Sequence, residues 1–190
     1  FDYGCGYGSF LYALKKKNIL SKGMDFDSDS VDFCKSKNLK VSTLPLEHEK
    51  NNSIKLITLF DVIEHLIEPI NFLKIAKNKL KQNGYVLMFT PNIHSLSGNL
   101  MGPDHNMFAV FNHLCFYDHK SLNYLAKKTG FKIIKIDYFG LDIKDYLQML
   151  ESKNKNIKFN KILNNLSNTL QSVLDDCSLS NSMRIIFKKL

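Results

Sequence analysis

The sequence predicts an α/β fold, a mostly parallel sheet with helices on both faces. Two observations carry that prediction. Short apolar runs alternate with amphipathic stretches through the first half of the chain, and a glycine cluster at Gly4, Gly6 and Gly8 stands where a first strand would turn into a first helix. A chain of 190 residues suffices for one sizeable core, and 44% hydrophobic with 23% charged residues is ordinary globular composition. One domain spanning residues 1–190 is therefore expected, with upstream residues preceding Phe1, which would sit inside the first strand.

Strands are expected at Gly23–Asp25, Ile54–Leu59, Tyr85–Thr90, Phe131–Tyr138 and Met183–Phe187. Helical spacing of apolar residues falls at Phe10–Lys17, Ser30–Lys37 and Pro69–Leu80, the last through Ile70, Leu73, Ala76 and Leu80. Ser121 is placed to cap a helix whose inner face is Leu122, Leu125 and Ala126, and Gly130 stands where a left-handed stop is wanted. From Leu141 to Ser182 the chain is rich in Lys and Asn. Phe159, Ile162, Leu163, Leu166, Leu170, Val173 and Leu174 nevertheless keep helical spacing, so helices are expected there too. The irregular stretch 91–117 is longer than the roughly 15 residues that compact domains usually leave without function, and with 141–182 it is expected to be a substrate-side insertion.

Composition narrows the classes. The longest apolar runs fall far short of the ~20 residues of a membrane span, so a soluble, cytoplasmic protein with no membrane partner is expected. Four cysteines without C-x-x-C spacing suggest neither a zinc knuckle nor a disulfide framework. The formal charge of +8 is spread along the chain among asparagines rather than gathered in a patch, which argues for solvated lysines over a nucleic-acid partner.

Glycines at alternate positions let a backbone approach a ligand closely at the start of a helix, whose free N–H groups attract anionic groups. The spacing here is G-x-G-x-G. A dinucleotide fingerprint would need its third glycine at residue 9, which is Ser9. Asp2, just before the first glycine, would sit badly beside a pyrophosphate, whereas it suits the ammonium of a methionine moiety, as in S-adenosylmethionine. Asp25, ending the next strand, is near the position at which nucleotide folds bind ribose hydroxyls, the alternative being a helix cap. Asp27 reads more readily as that cap. Phe26 either covers the adenine edge or packs.

Three further segments complete a resemblance: Leu59-Phe60-Asp61-Val62-Ile63-Glu64-His65-Leu66, Thr90-Pro91-Asn92 and Lys128-Thr129-Gly130-Phe131. Together with Asp2–Gly8 and Gly23-Met24-Asp25, they resemble the class I S-adenosylmethionine-dependent methyltransferases, in particular the ubiquinone-biosynthesis type and bacterial small-molecule enzymes. The resemblance implies a Rossmann-like sheet of seven strands with the last antiparallel. It also implies S-adenosyl-L-methionine as cofactor, with Phe60 and Asp61 against it at the end of the fourth strand.

Methyl transfer from a sulfonium is an in-line displacement that needs alignment and, for some acceptors, a base. His65 is the candidate base, against a purely structural role in the turn. Tyr117, Phe108, Phe111 and Phe116 line an acceptor pocket or belong to the core, and His94, His105 and His119 read as substrate contacts or surface residues. The expected reaction is methylation at O or N of a small polar metabolite, a sugar or phosphorylated precursor of bacterial surface polysaccharide. Two alternatives stand beside it. Glu64, His65 and His113 resemble the metal ligands of small-RNA 2′-O-methyltransferases, although the sequence assigns no metal to this chain. The helices of 141–182 could also make a homodimer surface, in the extreme for a non-catalytic partner subunit.

Overall fold

The computed structural model describes residues 1–108, 113–153 and 161–190, with side chains omitted at 161–164. Its seven-stranded sheet has the order β3-β2-β1-β4-β5-β7-β6. In chain order the strands are β1 (Asp2–Tyr3), β2 (Gly23–Met24), β3 (Val41–Ser42), β4 (Ile54–Phe60), β5 (Leu80–Pro91), β6 (Phe131–Phe139) and β7 (Ser182–Lys189). β7 runs antiparallel to both its neighbours, β5 and β6, and every other pairing is parallel. The helices are α1 (Ser9–Lys16), α2 (Ser28–Ser36), α3 (Pro69–Lys79), α4 (Leu96–Met101), α5 (His119–Thr129), α6 (Asp142–Lys153) and α7 (Lys161–Asp176).

The fold is the mostly parallel sheet with an antiparallel last strand that the resemblance implied. One core joins Ile57, Leu59, Val86, Met88, Ile185 and Phe187 of the central strands to Leu73 and Ala76 of α3 and Leu122 of α5. A smaller one joins Leu11 of α1 to Val31 and Cys34 of α2. None of the described helices is long and apolar enough to cross a membrane. All four cysteines are free.

Several boundaries move, for local reasons. β3 was not expected, because two residues leave no alternation to read. β5 begins at Leu80, directly after α3: Leu80 pairs with Ile54 and Tyr85 with Leu56, so Lys81–Gly84 bulge out between them, with Asn83 left-handed at φ 57°. The cap of α5 is Asp118 rather than Ser121. Its carboxylate accepts from the Ser121 amide at 2.7 Å while the Ser121 hydroxyl accepts from the Asp118 amide at 2.8 Å, a reciprocal box that begins the helix at His119. Gly130 is left-handed at φ 73°, as expected. Stretch 91–117 is partly ordered by α4, whose cap is Ser95. Phe159 lies outside the described residues.

α7 turns a polar face to the body of the protein. Ser167 and Gln171 are buried against the body, while Leu166, Leu170 and Val173 are exposed.

Asp118→Ala removes the acceptor of the capping box. It should cost about 1 kcal/mol, read as a lowered midpoint in denaturant titration with the slope unchanged.

Candidate functional site

The C-terminal ends of parallel strands are where open α/β sheets bind ligands, because loops there diverge and leave a crevice. β1 ends in the glycine turn, and Gly4, Gly6 and Gly8 all take left-handed φ, at 73°, 49° and 75°. Their surroundings differ. A Cβ on Gly4 would lie 2.6 Å from Val62 Cγ2, and one on Gly8 2.7 Å from both Cys34 Sγ and Leu39 Cδ1, so these two let neighbouring elements close on the turn. A Cβ on Gly6 would meet nothing within 4 Å, which makes Gly6 the open side of the cradle.

Asp25 holds the turn in place from the end of β2. Its Oδ2 accepts from the Gly6 amide at 2.7 Å and its Oδ1 from the Asp27 amide at 3.0 Å. Asp27 in turn caps α2 through the amides of Asp29 and Ser30, as its sequence context suggested. Those bonds, that from the Ser30 hydroxyl first, hold its carboxyl below the usual range. Phe26, between the two aspartates, is exposed and meets Tyr3 edge-on at 6.1 Å.

Asp2 behaves differently from its neighbours. It is 4% exposed, turned into the sheet, and accepts from Thr58 Oγ1 at 2.5 Å, which ties β1 to β4 beneath the turn. Burial pushes its carboxyl above the usual range. Phe60, at the end of β4, packs between Phe10, met edge-on at 5.0 Å, and the tilted ring of Phe89 at 4.5 Å. Asp61 follows it in the left-handed region at φ 53°, uncommon for a residue with a side chain, and its amide donates to Phe89 O at 3.2 Å.

The next residues form a short 3-10 turn, Ile63–His65. Glu64 is 1% exposed; its Oε2 accepts from Thr90 Oγ1 at 3.1 Å, and its Oε1 is buried without a partner. Desolvation raises its pKa. The Leu114 and Cys115 amides both donate to Glu64 O, at 2.8 and 3.0 Å, and Tyr117 Oη donates to Ile63 O at 3.2 Å. These bonds bring His113 over the turn, its ring 4.9 Å from that of His65. One donor atom from each of Glu64, His65 and His113 lies within 4.8 Å of the other two.

A cavity of about 420 Å³ opens here, lined by Asp61, Glu64, His105, Asn106, His113 and Ser182 among others. Tyr117 is 4% exposed and belongs to the core rather than to a pocket wall. Phe108 and Phe116 pack on each other at 5.6 Å, and Phe111 lies outside the described residues. His105 is buried, neither a surface residue nor open to a substrate in this arrangement; His94 pairs with Asp118 at 3.3 Å and His119 starts α5.

A family model described as a methyltransferase domain matches residues 1–136. The chain is a class I S-adenosylmethionine-dependent methyltransferase. Among solved structures the methyltransferase is similar to an S-adenosylmethionine-dependent methyltransferase from Archaeoglobus fulgidus, at TM-score 0.70 and 22% identity over 99% of this chain and 84% of that one. It is also similar to a possible histamine N-methyltransferase from Thermotoga maritima, at TM-score 0.66 and 17% identity over 100% and 80% of the two chains. A third, phosphoethanolamine N-methyltransferase 2 of Haemonchus contortus in complex with S-adenosylmethionine, aligns at TM-score 0.65 and 16% identity over 99% and 47%. No curated protein matches the chain. The methyltransferase uses S-adenosylmethionine.

Glu64 supplies a test of its environment. A carboxyl whose pKa is higher folded than unfolded binds its proton more tightly when folded. Its ionisation therefore costs stability, and the cost appears as pH rises from below the unfolded value through the folded one. Glu64→Gln should raise the melting temperature of chelator-treated protein at pH 7 by a few degrees, and the gain should shrink as pH falls below the ordinary glutamate range. A gain independent of pH would contradict a buried, ionised Glu64.

Proposed function

We propose that the methyltransferase moves the methyl group of S-adenosylmethionine to an oxygen or nitrogen of a small polar metabolite, an uncharged sugar-like molecule. The observation that carries this reading is the Asp25 carboxylate, fixed to the Gly6 amide at 2.7 Å beside the open face of the glycine turn. A carboxylate held by backbone amides keeps unused lone pairs for the two ribose hydroxyls, and its neighbour Phe26 has an exposed ring for the adenine. Gly4, Gly6 and Gly8 carry the cofactor backbone. Phe60 and Asp61 frame its methionine end, and Asp2 contributes indirectly by bracing β1.

The cavity at Asp61 is the acceptor pocket in this reading. Asn106, Asn181, Ser182 and His113 give it hydrogen-bonding groups, and its described lining contains no Lys or Arg. In a chain with formal charge +8, that lining favours the sugar over a phosphorylated precursor. The cofactor supplies an electrophilic methyl on a positively charged sulfur. The chain's part is to align the acceptor with it, and His65 is assigned to take the acceptor's proton.

The outward row Leu166, Leu170 and Val173 supports a homodimer paired through α7. Leu170→Lys should then halve the mass measured by light scattering.

Asp25→Ala should weaken binding of S-adenosylhomocysteine about 10- to 100-fold, the span of one to two charge-assisted hydrogen bonds at roughly 1.5–3 kcal/mol. Calorimetry on the wild type and the variant checks it. Equal affinities would remove Asp25 from the site.

A further inference from the structure

The lysines that the sequence spreads along the chain are gathered by the fold at one end. Read across the sheet, β3, β2, β4, β5, β7 and β6 each carry one at the end remote from the glycine turn: Lys40, Lys22, Lys55, Lys81, Lys188 and Lys132. At the ~4.8 Å spacing of neighbouring strands, that row runs roughly 30 Å. Helices that follow parallel strands return to the same end, and there α1 closes on Lys15 and Lys16, α3 on Lys77 and Lys79, and α5 on Lys127 and Lys128. A helix C-terminus carries about half a negative charge, which one ammonium answers, so the second lysine of each pair is surplus.

Like charges are also held together. Lys132 and Lys188 are direct cross-strand partners, a placement that destabilises a sheet on its own. Burial holds the Lys189 ammonium below its ordinary pKa, and the charge of Lys77 pushes it the same way. Glu49 and Asp32 pair with Lys22 and Lys35. Lys55, Lys81, Lys132 and Lys188 have no ion pair among the described residues. Carboxylates stand at the opposite end: Asp25 follows β2, Asp61 follows β4, Asp118 caps α5 and Asp142 opens α6. The formal charge of +8 thus combines a strongly cationic base with an acidic site end.

The base also exposes apolar side chains. In the loop from α1 to β2, Ile19 and Leu20 are 50% and 89% exposed, and Lys17 and Lys22 flank them. Lysines around a protruding aliphatic tip suit the boundary between lipid headgroups and acyl chains, where ammoniums meet phosphates and the tip enters the hydrocarbon. A nucleic acid offers such a tip nothing apolar to enter, and its phosphates favour the Arg fork. The single Arg of the chain, Arg184, is taken by Asp137.

We propose that the lysine base docks the protein on the surface of an anionic bilayer, with the Ile19-Leu20 loop inserted and the glycine cradle and the cavity at Asp61 turned toward water. Docking of this kind needs no membrane-spanning helix, and it stands independently of which acceptor the site takes.

The test is flotation of the full chain with vesicles of equal parts phosphatidylglycerol and phosphatidylcholine, and with vesicles of phosphatidylcholine alone, at low and at physiological salt. The chain should float with the first and not with the second, and less of it as salt rises. Lys55→Gln combined with Lys132→Gln should weaken binding about fivefold per lysine, the equivalent of the ~1 kcal/mol that each contributes at such a surface. Lys120→Gln combined with Lys144→Gln removes the same charge from the site end and should leave binding nearly unchanged. Leu20→Ser should lower the fraction that floats at physiological salt. S-adenosylhomocysteine should bind all four proteins equally, which separates a failure of docking from one of folding or of the cofactor site. Equal flotation with both kinds of vesicle, or equal losses from the two lysine pairs, overturns the base as the docking surface. Unchanged flotation of Leu20→Ser overturns insertion of the loop, and tighter binding of duplex RNA than of the anionic vesicles, per phosphate, overturns the choice of a bilayer.

Discussion

The turn between β1 and α1 has no side chains with which to pack at three of its positions, so it depends on a neighbour for its shape. Asp25 is that neighbour. One carboxylate oxygen holds the Gly6 amide and the other holds the Asp27 amide, so a single side chain joins the end of β1 to the start of α2. Asp27, set by the same contact, then caps α2. Cys34 and Leu39 close on Gly8, and Val62 closes on Gly4 from the far side, approaches that any Cβ would block. What is left open is Gly6. The cradle's shape thus follows from where side chains are missing and from one carboxylate that replaces them.

The other half of the site rests on the end of β4. Asp61 turns the chain in a left-handed conformation, and the short turn after it buries Glu64 beneath Thr90 while the Glu64 carbonyl holds the amides of residues 114 and 115. Those main-chain bonds bring together residues about fifty positions apart in sequence. The cavity beside them is polar and carries carboxylates in a chain that is otherwise strongly basic. Charge on the outside and the chemistry inside are therefore separate matters, which is why the lysine content says little about the acceptor.

The parts of the fold legible in the sequence are those with strictly local causes. Alternating glycines, a carboxylate at a strand end, Gly130 as a left-handed stop and the apolar period of α3 all act over a few residues. β3 escaped because two residues carry no period. Ser121 was mistaken for the cap because Asp118 and Ser121 take reciprocal roles in one box, and a sequence shows two candidates without saying which carbonyl starts the helix. Asp142 was not legible as a buried centre at all. Its partners Ser97, Gln171 and Asn181 come from three other parts of the chain, and only tertiary packing collects them. The burial of His105 belongs to the same knot. On α7 the period was legible but the face it turns to the body was not, since Ser167 and Gln171 go inward to meet that polar cluster and Leu166, Leu170 and Val173 are left outside.

The central claim is that the Asp25-braced glycine turn is the seat of the methyl donor. A crystal structure of the methyltransferase with S-adenosylhomocysteine tests it most directly. The account expects the ligand to cross the open face of Gly6 with both ribose hydroxyls on the Asp25 carboxylate and the sulfur facing the cavity at Asp61. A ligand bound elsewhere, or one whose ribose makes no contact with Asp25, would contradict it.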